Sequence, residues 1–144
     1  MSDNMTTVMQ LSELGFCCSQ ILLTMGLKEQ GEENPDLIRA MGGLCGGVGN
    51  SGKNCGAFTG GACLLSLYVG RGKVDEEMES FGPYMMAEYV RWFEEEHPEG
   101  VDCMSIIDND SNNIPLTCPN LICSVYEKIE EILKNYDISL ERRR

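Results

Sequence analysis

Cations are scarce in this chain. Among 144 residues there are 11 Lys and Arg against 23 Asp and Glu, a net charge of -12. Phosphate backbones are held by a surplus of Lys and Arg, so the balance argues against nucleic acid and against an anionic membrane surface. The N-terminus, MSDNMTTVMQ, lacks a basic stretch followed by an apolar one, and it does not read as a secretory signal. Long hydrophobic runs are missing too. The longest uncharged stretch, Asn54 to Gly70, is too short and too rich in glycine to cross a bilayer. A cytoplasmic protein is expected. No segment alternates as a strand, and no internal repeat stands out, so the reading is one domain over 1–144. Histidine occurs once, at His97, where it precedes Pro98 at a helix end and serves best as a partner of the helix dipole.

Against these absences stand eight cysteines, at 17, 18, 45, 55, 63, 103, 118 and 123. Without an export signal a disulfide framework is the weaker explanation, which leaves metal binding, redox chemistry or burial. No Cys-x-x-Cys is present, and thioredoxin-like β-α-β order is missing. A conventional oxidoreductase is therefore disfavoured.

Helical spacing dominates. Thr6 to Leu14 is amphipathic, and CCSQILLTMG resumes as a helix that Gly26 is expected to stop. Cys18 shares an apolar face with Ile21, Leu22 and Met25, and Cys17 lies about 100° round from it. Asn34 and Pro35 cap and open a short helix. Asn54 is expected to cap a helix starting at Cys55. That helix carries no charge on any face, which marks a buried one. Helix is expected from Asp75 to about His97, broken or kinked at Gly82-Pro83, with Met85, Tyr89, Trp92 and Phe93 in the core. Cys103 falls in an irregular segment and a polar loop follows. Pro119 opens the last helix, with Val125, Ile129, Ile132, Leu133 and Tyr136 on its buried stripe. The final RRR reads as a frayed tail. The expected fold is an all-α single-domain bundle of five to six helices around a buried Gly-rich central helix.

The stretch GGVGNSGKNCGAFTGG, residues 46–61, nearly spells a phosphate loop. The hydroxyl that should follow Lys53 is replaced by Asn54, and no strand precedes the loop. It reads better as a glycine collar that delivers Cys55 to a helix N-terminus. There the dipole, free N–H groups and Lys53 would favour a thiolate. Cys18, Cys55, Cys103 and Cys123 come from four separate segments, and one thiolate from each builds a four-sulfur site.

Four segments carry a resemblance: CCSQILL (17–23), CGAFTGGA (55–62), VDCMSII (101–107) and CPNLICSVYEKIEEIL (118–133). In this order they resemble the redox-active protein family named for the pattern C-GCAxxG-C-C. The resemblance spans almost the whole chain. The central motif stands here as Cys-Gly-Ala-x-x-Gly after Asn54, which differs in letter order from the name. The four naming cysteines map to Cys18, Cys55, Cys103 and Cys123, with Cys17 and Cys118 as alternates. Cys45 and Cys63 read as additions whose default role is burial.

Four thiolates satisfy a [2Fe–2S] or [4Fe–4S] cluster for electron transfer, and this is the leading expectation. Thiol–disulfide chemistry is the alternative, with Cys55 as a low-pKa nucleophile and Cys18, Cys103 or Cys123 resolving it. Zinc, or a purely structural helical interaction domain, is the third. An acidic surface would suit a basic redox partner, and Gly56 and Gly60 would permit a close helix contact between subunits in a homodimer.

Overall fold

The computed structural model describes residues 2–144. Among these the protein is all-α, with seven α-helices, two short 3-10 turns and no strand. No described helix is long and apolar enough to cross a membrane. Helix α1 runs Asp3–Glu13 and is capped by the Ser2 side chain, which accepts the Met5 N–H. Helix α2 runs Cys18–Glu29, with Cys17 as its N-cap and the Gln20 side chain accepting the Cys17 N–H. Helix α3 runs Pro35–Met41, and Asn34 caps it as expected, accepting from Leu37 N–H at 3.0 Å. Helix α4 is Gly56–Val69, α5 is Gly82–Glu96, α6 is the single turn Cys103–Ile106, and α7 is the long Ile114–Asn135. The single turn of α6 takes the count beyond the expected five or six.

Helices α2 and α4 form the most extensive contact in the protein, and α4 also meets α5 and α7. Two glycines decide how close they lie. A Cβ at Gly60 would stand 2.7 Å from the Cα of Ser19. A Cβ at Gly26 would stand 2.5 Å from Leu64 Cδ1. Gly26 is thus a packing residue inside α2, which continues to Glu29, and not the expected stop. Across α4, Gly61 leaves room for Tyr89, whose hydroxyl donates to the Phe58 carbonyl at 2.8 Å. The core combines Ile21, Leu22, Leu64, Leu65, Tyr68 and Phe93, all fully buried, with Val125, Ile129, Ile132 and Leu133 of α7. Trp92 packs only at its margin.

Prolines account for two shifted boundaries. Residues 75–81 are not helical, so the helical stretch expected before Gly82-Pro83 does not form, and Pro83 lies in the first turn of α5. Its missing N–H costs nothing there. Pro115 does the same for α7, so Pro119, expected as the helix start, sits inside the helix. The C-terminal arginines are docked, not frayed. Arg144 donates to the carbonyls of Val69 and Gly70 at 3.0 and 2.9 Å, satisfying acceptors at the open end of α4. Arg142 donates to Tyr68 O at 2.6 Å and pairs with Glu79, and Arg143 pairs with Glu32.

The α2–α4 crossing should tolerate no added carbon. Gly60→Ala is expected to lower stability by about 1–3 kcal/mol, the usual penalty for overpacking. Alanine's helix propensity, better by about 1 kcal/mol, offsets only part of the clash. Urea unfolding followed by helical circular dichroism measures this, and an unchanged midpoint would show that the crossing relaxes freely.

Candidate functional site: a cysteine-lined cavity

Six of the eight cysteines line one cavity of about 330 Å³: Cys17, Cys18, Cys45, Cys55, Cys103 and Cys118. That volume is room for roughly ten waters at about 30 Å³ each. The remaining wall is mostly apolar, with Ile21, Ile107, Leu121 and Ile122, and none of the described residues lining it is charged.

Each sulfur is delivered by a different local device. Cys18 is the first residue of α2, and its Sγ lies against Gly56. A Cβ there would stand 2.5 Å from that sulfur and 2.9 Å from the Leu44 carbonyl oxygen. The first glycine of the Cys-Gly-Ala-x-x-Gly motif thus makes space for a thiol, and the second, Gly60, makes space for the neighbouring Ser19. Cys55 is the N-cap of α4, one residue later than the expected cap at Asn54. Asn54 instead pairs with Asp102 in an isolated antiparallel bridge. The Cys55 N–H donates to Val101 O at 2.8 Å, and the Cys103 N–H donates to Lys53 O at 2.6 Å. These two bonds hold the Cys55 and Cys103 segments side by side. No alternating pattern announces a bridge of one residue pair, which is why sequence reasoning missed it.

Cys118 and Cys123 separate cleanly. Both lie on α7, five residues apart, which at about 100° per residue places them roughly 140° apart around the axis. Cys118 lines the cavity. Cys123 is buried elsewhere, beside Glu127 and Ser2. The structure therefore brings together Cys18, Cys55, Cys103 and the alternate Cys118, and leaves out Cys123. With the helix expected to open at Pro119, Cys118 falls just outside it and Cys123 inside. Cys63 is half-buried on α4 and away from the cavity.

Cys17 and Cys45 are joined as a disulfide with Cα atoms 5.9 Å apart. A simple burial role for Cys45 is thereby overturned, and Cys17 is not free to act as a ligand in this state. The Ser19 hydroxyl, fully buried, donates to Met41 O at 2.8 Å and lies 3.7 Å from Cys45 Sγ.

The glycine collar folds on itself. Gly46, Gly47, Val48, Gly49 and Asn50 all have φ between 60° and 72°, a left-handed turn that costs L-residues about 1–2 kcal/mol each and glycine almost nothing. Four of its N–H groups are taken up internally, Gly49 to Gly43 O, Asn50 to Cys45 O, Gly52 to Gly46 O and Lys53 to Gly47 O. These donors are turned inward, away from any phosphate, in keeping with the rejection of a nucleotide loop. Lys53 is exposed and does not line the cavity.

Burial decides the state of the thiols. It pushes Cys55 up to about 11, against the backbone N–H groups of Phe58 and Ala57, which favour the thiolate; Cys18 and Cys103 nearby add to the rise. Burial likewise raises Cys18 and Cys103, and it lifts Cys118 to about 12. The expected low-pKa nucleophile at Cys55 is not what this site makes. Desolvation outweighs the helix end. Among the described residues no three His, Cys, Asp or Glu side chains stand close enough to clasp one ion. The four thiols share a cavity without being drawn together on a single point.

An all-α protein with cysteines from four helices gathered on one apolar cavity is the class that this geometry defines. Residues 16–132 match the model of the family described as "Putative redox-active protein (C_GCAxxG_C_C)", and the chain belongs to that family. No curated protein and no solved structure matches it significantly.

The raised Cys55 thiol gives a direct expectation for the metal-free protein. A rise from 9.0 to about 11 leaves about 100-fold less thiolate at neutral pH than an ordinary thiol has. Iodoacetamide should therefore modify Cys55 at least that much more slowly than a free cysteine at pH 7.5. The rate should climb tenfold per pH step up to about 11. Peptide mass mapping of alkylated protein reads this site by site, and rapid modification at pH 7.5 would contradict the buried placement.

Proposed function

We propose that this protein is an electron-transfer protein in which Cys18, Cys55, Cys103 and Cys118 hold an iron–sulfur cluster. The observation that carries the reading is the gathering of these four sulfurs, each from a different helix end or helix face, on one cavity without a charged wall. Four thiolates buried among apolar groups could not be ionised together without a cation between them. The donor set suits a soft metal or an iron–sulfur core: sulfur ligands only, with an apolar surround. A cluster bound there would supply one-electron redox chemistry.

The chain's own residues contribute three things. The Asn54–Asp102 bridge fixes Cys55 relative to Cys103. Gly56 admits the Cys18 sulfur beside the start of α4. The N–H groups of Ala57 and Phe58 point at the Cys55 sulfur and would steady its negative charge. The sulfurs would have to close inward on loading, and of the four only Cys103 sits on a single-turn helix, α6.

The acidic surface suits a redox partner that presents a basic face. Gly56 and Gly60, which suggested a contact between subunits, are instead used inside the chain against Cys18 and Ser19. Zinc would take the same four sulfurs as a closed tetrahedral site, and the same measurement separates the two metals.

Anaerobic purification followed by iron and acid-labile sulfide analysis tests the proposal. Iron and sulfide are expected together, with visible absorption that bleaches on reduction. Cys118→Ser should lower both to background, whereas Cys123→Ser should leave them unchanged. Zinc without sulfide would move the site to the structural class. Colourless, metal-free protein after reconstitution would overturn the metal reading outright.

A further inference from the structure

Two sulfur systems share the cavity wall, and only one has been given a role. The Cys17–Cys45 bond ties the N-cap of α2 to the entry of the glycine collar, 28 residues later in the chain. Both cysteines are half-buried, at the edge of the core and not within it. The collar beyond Cys45 is part of the cavity's outer wall: Gly46 and Asn50 line it, and the Gly46 N–H faces the Cys18 sulfur. The collar's backbone-to-backbone hydrogen bonds run back to residues 43–48, and the Gly46 N–H at the Cys18 sulfur is a further contact with α2. The disulfide ties the collar at one end and the Lys53–Cys103 bond at the other, with Met104 packed against Gly52. The Ser19 hydroxyl, 3.5 Å from Cys17 Sγ and 3.7 Å from Cys45 Sγ, stands beside both sulfurs and offers each a polar contact once the bond is open.

We propose that Cys17 and Cys45 form a dithiol–disulfide couple that latches the collar over the cavity, so that a dithiol reductant opens the four-thiol site and oxidation closes it. One thiolate of the reductant attacks one sulfur of the pair. The Sγ–Sγ bond breaks, a mixed disulfide forms, and the other cysteine leaves as a thiolate that takes up a proton. The second thiol of the reductant then attacks the mixed disulfide, releases the remaining cysteine, which is protonated in turn, and leaves the reductant as its own disulfide. Two electrons and two protons pass to the pair in all. The couple stands on its own. Its consequence for metal or cluster entry rests on the four-thiol reading above.

The test uses the metal-free full chain, equilibrated in mixtures of reduced and oxidised dithiothreitol. It is quenched with acid, alkylated and mapped by mass spectrometry. Cys17 and Cys45 should become labelled in step as the mixture turns reducing, with Cys18, Cys55, Cys103 and Cys118 remaining thiols throughout. In native protein, labelling of Cys55 and Cys118 should run about tenfold faster after reduction than before it, the signature of a locally opened wall. Cys45→Ser should show the fast rate without reductant. If that variant does not fold, the oxidised and reduced forms of the unaltered chain carry the comparison. Independent labelling of Cys17 and Cys45, or pairing of either with another cysteine, overturns the couple. A couple that titrates without changing the labelling rates overturns the latch. Absence of iron, sulfide and zinc would count against the four-thiol reading alone and leave both of these results readable.

Discussion

Everything in the site depends on how closely α2 can approach α4. The two helices meet where Ser19 lies over Gly60 and the Cys18 sulfur lies over Gly56. These glycines are four residues apart, so they occupy one face of α4 a turn apart. A side chain at 60 would lift α2 away by its own thickness. Cys18 would then leave the cavity that Cys55 borders. The Cys-Gly-Ala-x-x-Gly motif is in this sense a packing device first: one cysteine and two absences of side chain, which together bring a second cysteine from another helix alongside.

Burial and the helix terminus oppose each other at Cys55, and their balance sets the chemistry. A thiol at an N-cap is ordinarily helped to ionise by the free N–H groups of the first turn. Ala57 and Phe58 do provide that help, but the sulfur is buried at a cavity with no charged wall, and the loss of hydration is the larger effect. Neighbouring thiols at Cys18 and Cys103 push the same way. Such a site resists acting as a free nucleophile. In the proposed reading a cation placed among the thiols would make thiolates favourable, because the same apolar wall that penalises a bare charge strengthens its attraction to a metal.

Much of this was legible from residue spacing. Alternation was missing, helical periodicity was plain, and the order of the cysteine segments pointed to a shared site containing Cys18, Cys55 and Cys103. The errors cluster at glycine and proline. Gly26 carries the signature of a helix stop, yet the packing of Leu64 against it keeps α2 going. Pro119 carries the signal of a helix start, but Pro115 carries the same signal four residues earlier, and it is there that α7 begins. That single register choice decides between Cys118 and Cys123, since moving five residues along α7 turns a side chain from the cavity to the far side. The 54–102 bridge and the 17–45 bond join segments remote in sequence. Neither carries a local pattern, so nothing short of the folded chain reveals them.

The collar is where these constraints meet. A run of five left-handed residues is tolerable mainly because three are glycines, and Val48 holds a conformation that a β-branched side chain rarely adopts. Strain of this kind persists only where surrounding bonds over-determine it. Here the surrounding bonds are the collar's own hydrogen bonds, the Cys103–Lys53 link and the covalent tie to Cys17. Two of these three attach the collar to residues that border the cavity. The turn is therefore stiff internally and held at its two ends by sulfur-bearing segments. A stiff body on two hinges moves as a unit when one hinge is released. The glycine-rich stretch thus shapes the wall of the four-thiol cavity and, under the proposed latch, is the part of that wall that reduction would release.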